Sequence, residues 1–187
     1  MRTDRPIRIV SGGQTGADRA ALDAALELGV EIGGSIPAGR TAEDGPVPTR
    51  YSGLIETSSC KPSVRTILNV LASDATLIVC RGPLRGGTRL TRIAAAKLHR
   101  PHILIDRRTL TARRAAFIVR RWLERARPET LNVAGPRLSE EPSIYRDTFL
   151  LLKEVFQTRT RARVKGPRPR SSPIFKPYGT RGTPKTE

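Results

Sequence analysis

Three loops hold the residue types whose spacing suits chemistry on an anionic ligand. The first is Ser11-Gly12-Gly13-Gln14-Thr15-Gly16, placed directly after an apolar run and before a stretch of helix formers. Glycines let backbone N–H groups converge on a ligand without interference from Cβ atoms. The helix that follows turns its positive end to the same point. Ser11, Gln14 and Thr15 add polar side chains, and Asp18 and Arg19 in the first helical turn lie within reach. A turn made only for strand–helix packing needs one glycine; three glycines among three small polar residues favour anion binding. The loop is not a P-loop, because Ala17 follows Gly16 and no lysine follows it. Nor is it a full dinucleotide fingerprint, since Ser11 stands where the first glycine of that motif belongs and no acid closes the second strand.

The second loop, Gly82-Pro83-Leu84-Arg85-Gly86-Gly87-Thr88, repeats the logic, with Arg85 suited to a phosphate or carboxylate. The third candidate is Asn132 with Gly135-Pro136-Arg137. In a chain with 34 Lys and Arg, a solvated surface charge is an equal reading for Arg85 and Arg137. A further stretch offers Arg40 and then Glu43-Asp44-Gly45-Pro46. Paired acids in a Pro-bounded loop can serve as general acid and base or hold ligand hydroxyl groups, although Asp before Gly is also ordinary turn chemistry. Cys80 ends an apolar run as a core thiol, Cys60 lies in a polar loop, and His99 and His102 lack metal-ligand spacing.

These loops need elements to position them. Ile7–Val10 is a short β-branched run, and residues 17–28 form a helix with Leu22, Ala25 and Leu26 on one face. A second strand covers Glu31–Ser35. Pro and Gly punctuate residues 36–60, which predicts an irregular stretch of the kind that is often functional. Ser63–Leu71 predicts a helix whose Val64, Ile67, Leu68 and Leu71 face a core. Ala75–Cys80 is almost continuously apolar, as in a strand buried on both faces. Helices over Thr88–Leu98, Ala112–Ala126 and Ser143–Gln157 alternate with strands at Ile103–Ile105 and Leu131–Ala134. Trp122 and Phe117 read as core residues. The alternation predicts an α/β fold, a Rossmann-like doubly wound parallel sheet of about five strands with helices on both faces. Ligands of such sheets bind beyond the carboxyl ends of the strands, where strand order reverses.

The formal net charge is +17, and nine Lys/Arg with one acid fall in residues 159–187 alone. That segment is rich in Pro and Gly and has few apolar residues, so it reads as a disordered basic tail making at most weak nonspecific contact with polyanions. Residues 1–158 then form the ligand-binding domain. No run reaches the roughly 18–20 apolar residues of a membrane helix, and the charged start is unlike a signal peptide. A protein in the cytoplasm, without membrane contact, is expected.

The motifs also occur together in a known order. Residues 9–25, Pro37-Ala38-Gly39-Arg40, Ala42-Glu43-Asp44-Gly45-Pro46, Tyr51, Asn69, Ser73-Asp74-Ala75-Thr76-Leu77-Ile78, Gly82-Pro83-Leu84-x-Gly86-Gly87-Thr88 and Leu131-Asn132-Val133-Ala134-Gly135-Pro136-Arg137 resemble the molybdenum cofactor carrier family over about residues 7–157. The resemblance implies a Rossmann-like fold, a homo-oligomer (dimer or tetramer), and binding of the molybdenum cofactor (molybdopterin), a pterin bearing a phosphate. The wider superfamily includes lysine decarboxylase-like phosphoribohydrolases that carry Pro-Gly-Gly-x-Gly-Thr-x-x-Glu. Gly86-Gly87-Thr88 aligns with the end of that motif, and Thr91 stands where its catalytic glutamate would be. The expected function is to bind and carry a phosphorylated small molecule without covalent chemistry. Ser11–Gly16 and Gly82–Thr88 would hold the phosphate, with Arg40, Glu43 and Asp44 closing over the ring. The alternative is a hydrolase or transferase acting on a nucleotide-derived metabolite, with Glu43, Asp44 or Asp18 as acid or base.

Overall fold

The computed structural model describes residues 7–164. Strand β1 (Arg8–Val10) leads through the glycine loop into helix α1 (Ala17–Glu27), followed by β2 (Ile32–Ile36). A single 3-10 turn, a two-residue antiparallel ladder of β3 (Thr41–Ala42) with β4 (Gly45–Pro46), and strand β5 (Leu54–Glu56) come next. Then follow α2 (Pro62–Leu71), β6 (Ala75–Cys80), α3 (Gly86–Lys97), β7 (His102–Asp106), α4 (Ala112–Ala126), β8 (Thr130–Ala134) and α5 (Ile144–Val164).

Six strands form one sheet in the order β5-β2-β1-β8-β6-β7, with every pairing parallel. Helices α1, α4 and α5 pack together on one face, and α2 with α3 on the other. This is the doubly wound Rossmann-like architecture. The strand order runs outward from β1 to β5, then resumes at β6 on the far side. Strand β8 returns between β1 and β6, so the carboxyl ends of β1, β8 and β6 meet at the reversal.

The sheet has one strand more than expected. Leu54–Glu56 lies inside the stretch read as irregular, and pairs with β2 through Gly34↔Leu54 and Ile36↔Glu56. Gly53 precedes it because a Cβ there would collide with the Ile32 carbonyl. The glycine that looked like loop punctuation is what lets the edge strand come close. Strand β6 is buried at all six positions, as its apolar run requires. The last helix continues to Val164, beyond the residue 158 boundary. Of the disordered tail expected over residues 159–187, residues 165–187 lie outside the described residues.

Helix α2 departs from expectation more sharply. Its apolar stripe does not face the core: Ile67, Leu68 and Leu71 are 39%, 38% and 43% exposed, while Asn69 and Val70 are buried. The inward side carries Arg65, which pairs with Asp18 of α1, and Asn69, which bonds to Ser35 of β2, while the Thr66 hydroxyl returns to the Pro62 carbonyl of its own helix. Phe117 is likewise exposed rather than buried. On the opposite face, α1 and α5 are pinned by Asp23, which accepts hydrogen bonds from Tyr51 (2.8 Å) and Tyr145 (2.7 Å) and pairs with Arg50 (3.1 Å). Burial, with the neighbouring Asp23 charge, pushes the Tyr51 hydroxyl up to about 12, so it stays a donor. Among the described residues no helix is long and apolar enough to cross a membrane.

Candidate ligand-binding site

A cleft opens where β1, β8 and β6 end, between the amino ends of α1 and α3. Gly12, Gln14 and Asp18 line one side, and Gly87, Thr88 and Thr91 of α3 the other. Asn132, Ala134, Gly135, Arg137 and Glu140 supply the floor and rim, and Arg65, Thr66 and Asn69 of α2 close the back. An adjoining hollow extends over Gly86, Leu90 and Pro62. Of the predicted site residues, Gly12, Gln14, Asp18, Gly86, Gly87, Thr88, Asn132 and Arg137 therefore come together.

The first loop is largely spent on holding itself. Ser11 is fully buried, donates to the Val133 carbonyl (2.7 Å) and gives its N–H to Gly33 (3.0 Å), so it ties β1 to both neighbours. Gly13, at φ +70°, backs onto Ile36 and Val47 of the core. Thr15 bonds through its hydroxyl to Glu43 and accepts from Leu138 N–H (3.1 Å). Gly16 has φ +74° and lies where a Cβ would meet the Pro136 carbonyl at 2.5 Å. That same carbonyl accepts the N–H of Ala17, the first residue of α1, at 3.2 Å. Residues 136–138 thus lie across the amino end of α1. That closes part of the anion cradle expected there, because a helix-start N–H that would otherwise be free for a ligand already has a protein partner.

The acidic loop is also structural. Asp44 forms a two-pronged pair with Arg19, whose Nε donates to the Gly13 carbonyl (3.3 Å). That guanidinium holds the Asp44 carboxyl below its usual range. Glu43 accepts from Ser139 Oγ (2.5 Å), Ser139 N–H (3.2 Å) and Thr15, with Arg137 at 3.9 Å. Burial works to raise Glu43, but these bonds outweigh it and hold the carboxyl below its ordinary value. Gln14 Oε1 joins the two loops by accepting from Thr15 N–H (3.0 Å) and Glu43 N–H (2.9 Å). Arg40 donates to the Val47 (2.9 Å) and Pro48 (3.2 Å) carbonyls, bracing its own loop instead of closing over a ligand. Arg85 is exposed at the cap of α3, outside the cleft lining.

Three residues that matter most here were not singled out by loop reasoning. Arg65 pairs with Asp18 at 2.6 Å, with side chains only 12% and 7% exposed. Its guanidinium occupies the space that a Gly12 Cβ would fill, so Gly12 is a glycine to admit Arg65. Asn69 clamps β2, accepting from Ser35 N–H (2.6 Å) and donating to its carbonyl (3.1 Å). Glu140 pairs with Arg137 at 3.2 Å. The available signal was the polar stripe Arg65, Thr66, Asn69 on α2, opposite its apolar stripe. Thr91, at the position of the superfamily glutamate, returns its hydroxyl to the Gly87 carbonyl (2.9 Å). Among the described residues no three His, Cys, Asp or Glu side chains gather to hold a metal ion.

The fold and the placing of the cleft define a Rossmann-like α/β protein whose polar cleft sits at the strand-order reversal. Residues 9–156 match the circularly permutated YpsA SLOG family, and the chain belongs to that family. It is also similar to a protein from Syntrophus aciditrophicus SB whose crystal structure is described as that of a "putative molybdenum carrier protein". The two share 42% identity over 81% of this chain and 95% of the other, with a TM-score of 0.79. No curated protein matches the chain.

Proposed function

We propose that this protein binds and carries a phosphorylated small molecule, the molybdenum cofactor being the ligand that suits it best. One observation supports the reading above others: the open amino end of α3, Gly86-Gly87-Thr88, faces a cleft into which Arg65 and Arg137 also project. Backbone donors at a helix start, the helix dipole and two guanidiniums together suit a phosphate. The phosphate is thereby assigned to the second glycine loop, with the first acting as its scaffold. Asn132 and Gln14 line the same cleft and suit the polar edge of a heterocycle. The name of the Syntrophus relative points to molybdenum, and with no cluster of metal-ligating side chains among the described residues, recognition would fall on the phosphate and ring of the cargo.

Carriage is favoured over catalysis because the three candidate acid/base carboxylates are engaged. Asp18, Glu43 and Asp44 are each held by an arginine or by hydrogen bonds, and the last two are kept as weak bases.

Gly87 offers the test. A Cβ there would meet nothing within 4 Å, so Gly87→Leu intrudes on the cleft without disturbing the fold. The expected result is an unchanged melting point without ligand, and loss of the thermal stabilisation that molybdopterin, AMP or ADP-ribose gives the parent protein. Equal stabilisation of both proteins by the same compound overturns the assignment. Adenine released from AMP, detected by chromatography, overturns the carrier reading in favour of a hydrolase.

The exposed stripe of α2 supports self-association. Contiguous apolar surface of this kind marks an interface, and a two-fold pairing of α2 with its own copy needs no second patch. Leu68→Glu combined with Leu71→Glu is expected to halve the mass seen by sedimentation while leaving the melting curve cooperative. A parent protein that already sediments as a monomer at high concentration contradicts it.

A further inference from the structure

Helix α4 carries a surface that the ligand cleft does not explain. Its sequence, ARRAAFIVRRWLERA, holds five arginines and one acid. The inward side is Ala115, Ala116, Val119 and Leu123, all buried. The outward side presents Arg114, Phe117, Arg121 and Arg125, spaced i, i+3, i+7 and i+11, so that they fall on one line down the helix. At a rise of about 1.5 Å per residue that line is about 16 Å long. Arg113 is exposed beside it, and Arg127 follows just past the helix end. Arg120 is taken by Glu154, but among the described residues Arg113, Arg114, Arg121, Arg125 and Arg127 have no carboxylate partner.

The aromatic ring is as informative as the charge. Phe117 is 51% exposed, and the Arg114 guanidinium lies over it at 5.8 Å. A solvent-facing ring with guanidiniums before and after it is a stacking platform set in a phosphate-binding stripe. Lipid does not fit, because an interfacial helix must turn its apolar face to the membrane. Here that face is committed to the core. Duplex DNA fits less well than a single strand. α4 lies flat against β7 and α5, so it offers phosphate contacts along one side but cannot enter a groove, and a duplex keeps its base faces from Phe117.

We propose that the outer face of α4 binds single-stranded nucleic acid. Arg114, Arg121 and Arg125 track the phosphates, and Phe117 stacks on a base. The surface is distinct from the cleft between α1 and α3 and is made by α4 itself.

The test uses the full chain and a fluorescein-labelled 20-mer of oligouridine, followed by anisotropy across a salt series. Arg114→Ala/Arg121→Ala/Arg125→Ala should weaken binding at least tenfold. It should also flatten the plot of log affinity against log salt by about 2, as loss of three phosphate contacts to a single strand requires. Phe117→Ala should weaken binding at least fivefold with the salt slope unchanged. The control, Arg85→Ala/Arg89→Ala/Arg92→Ala on exposed positions of α3 and its cap, removes the same charge and should have less than a twofold effect. Equal losses for the two triple variants overturn the proposal, since binding would then follow net charge. A duplex of matched length bound more tightly than the single strand, with Phe117→Ala silent, overturns it too. So does binding to phosphatidylserine vesicles without binding to the oligonucleotide.

Discussion

Arg65→Ala unfolds at a much lower urea concentration than the parent chain, with about 3–5 kcal/mol of stability lost. That is the cost of leaving one member of a buried ion pair without its partner. The Asp18 and Arg65 side chains are almost fully enclosed, 2.6 Å apart. Without the guanidinium, Asp18 keeps only a long hydrogen bond from Gln14 N–H (3.4 Å) among its described contacts. Arg65→Lys should recover only part of the loss, because a more strongly hydrated ammonium is costlier to enclose than the guanidinium that reaches Asp18 through Nη1. Replacing both partners, with Asp18→Asn and Arg65→Met, should cost far less than the sum of the two single changes, since no unpaired charge remains. If Arg65→Ala instead costs under about 1 kcal/mol, as exposed pairs do, the cleft floor is wetter in solution than described. In the parent chain the same pair sets the chemistry of the cleft: Asp18 neutralises part of Arg65, so the back wall is polar without being strongly cationic.

Gly16→Ala is expected to be the more damaging of two superficially alike substitutions. At φ +74° and ψ −127° this residue occupies backbone space that an L side chain enters only under strain, worth about 1–3 kcal/mol. The new methyl would also press on three backbone atoms: the Pro136 carbonyl oxygen at 2.5 Å, Arg137 C at 2.8 Å and Leu138 N at 2.9 Å. Backbone cannot rotate aside as a side chain can. The contact of α1 with the 136–138 segment must open, with loss of the Ala17 N–H bond to Pro136 and of the Thr15 bond to Leu138. We expect a total of about 3 kcal/mol or more, read as a fall in melting temperature of at least about 6 °C by the usual scaling for a domain of this size. Gly87→Ala, in open space on α3, should stay within about 1 kcal/mol of the parent. Similar melting points for the two variants would mean that the close approach at Gly16 is not maintained in solution.

Much of the fold is legible in the chain because the strongest signals are local. The run Ala75–Cys80 has no polar alternation, so it has to be a central strand, and it is buried throughout. Glycines at 12, 13 and 16 and at 86 and 87 mark the two strand–helix junctions that flank the cleft. What periodicity cannot supply is direction. On α2 it separates an apolar face from a polar one, yet Arg65 and Asn69 turn inward because Asp18 and Ser35 offer them partners. A charge with a buried counterpart and an asparagine clamping Ser35 outweigh the transfer of three aliphatic side chains. The fate of Ser11, Thr15, Glu43 and Asp44 was hidden for a related reason. The same residues that suit a ligand also suit Val133, Leu138, Ser139 and Arg19, which lie far away in sequence. Strand β5 is not legible because the three residues between Gly53 and Thr57 carry too little pattern to stand out.

The position of β8 bears on how the molecule holds together. On one side β1 pairs with β2, and β2 with β5; on the other β6 pairs with β7. Among the described residues the two groups share no ladder except through Thr130–Ala134, which bonds to both. The sheet is thus two half-sheets joined through a single strand. Segment 135–140, which rims the cleft, follows directly on that strand. The cleft therefore exists only where both half-sheets are joined, and any change that frees β8 from its two neighbours opens the sheet and the cleft together.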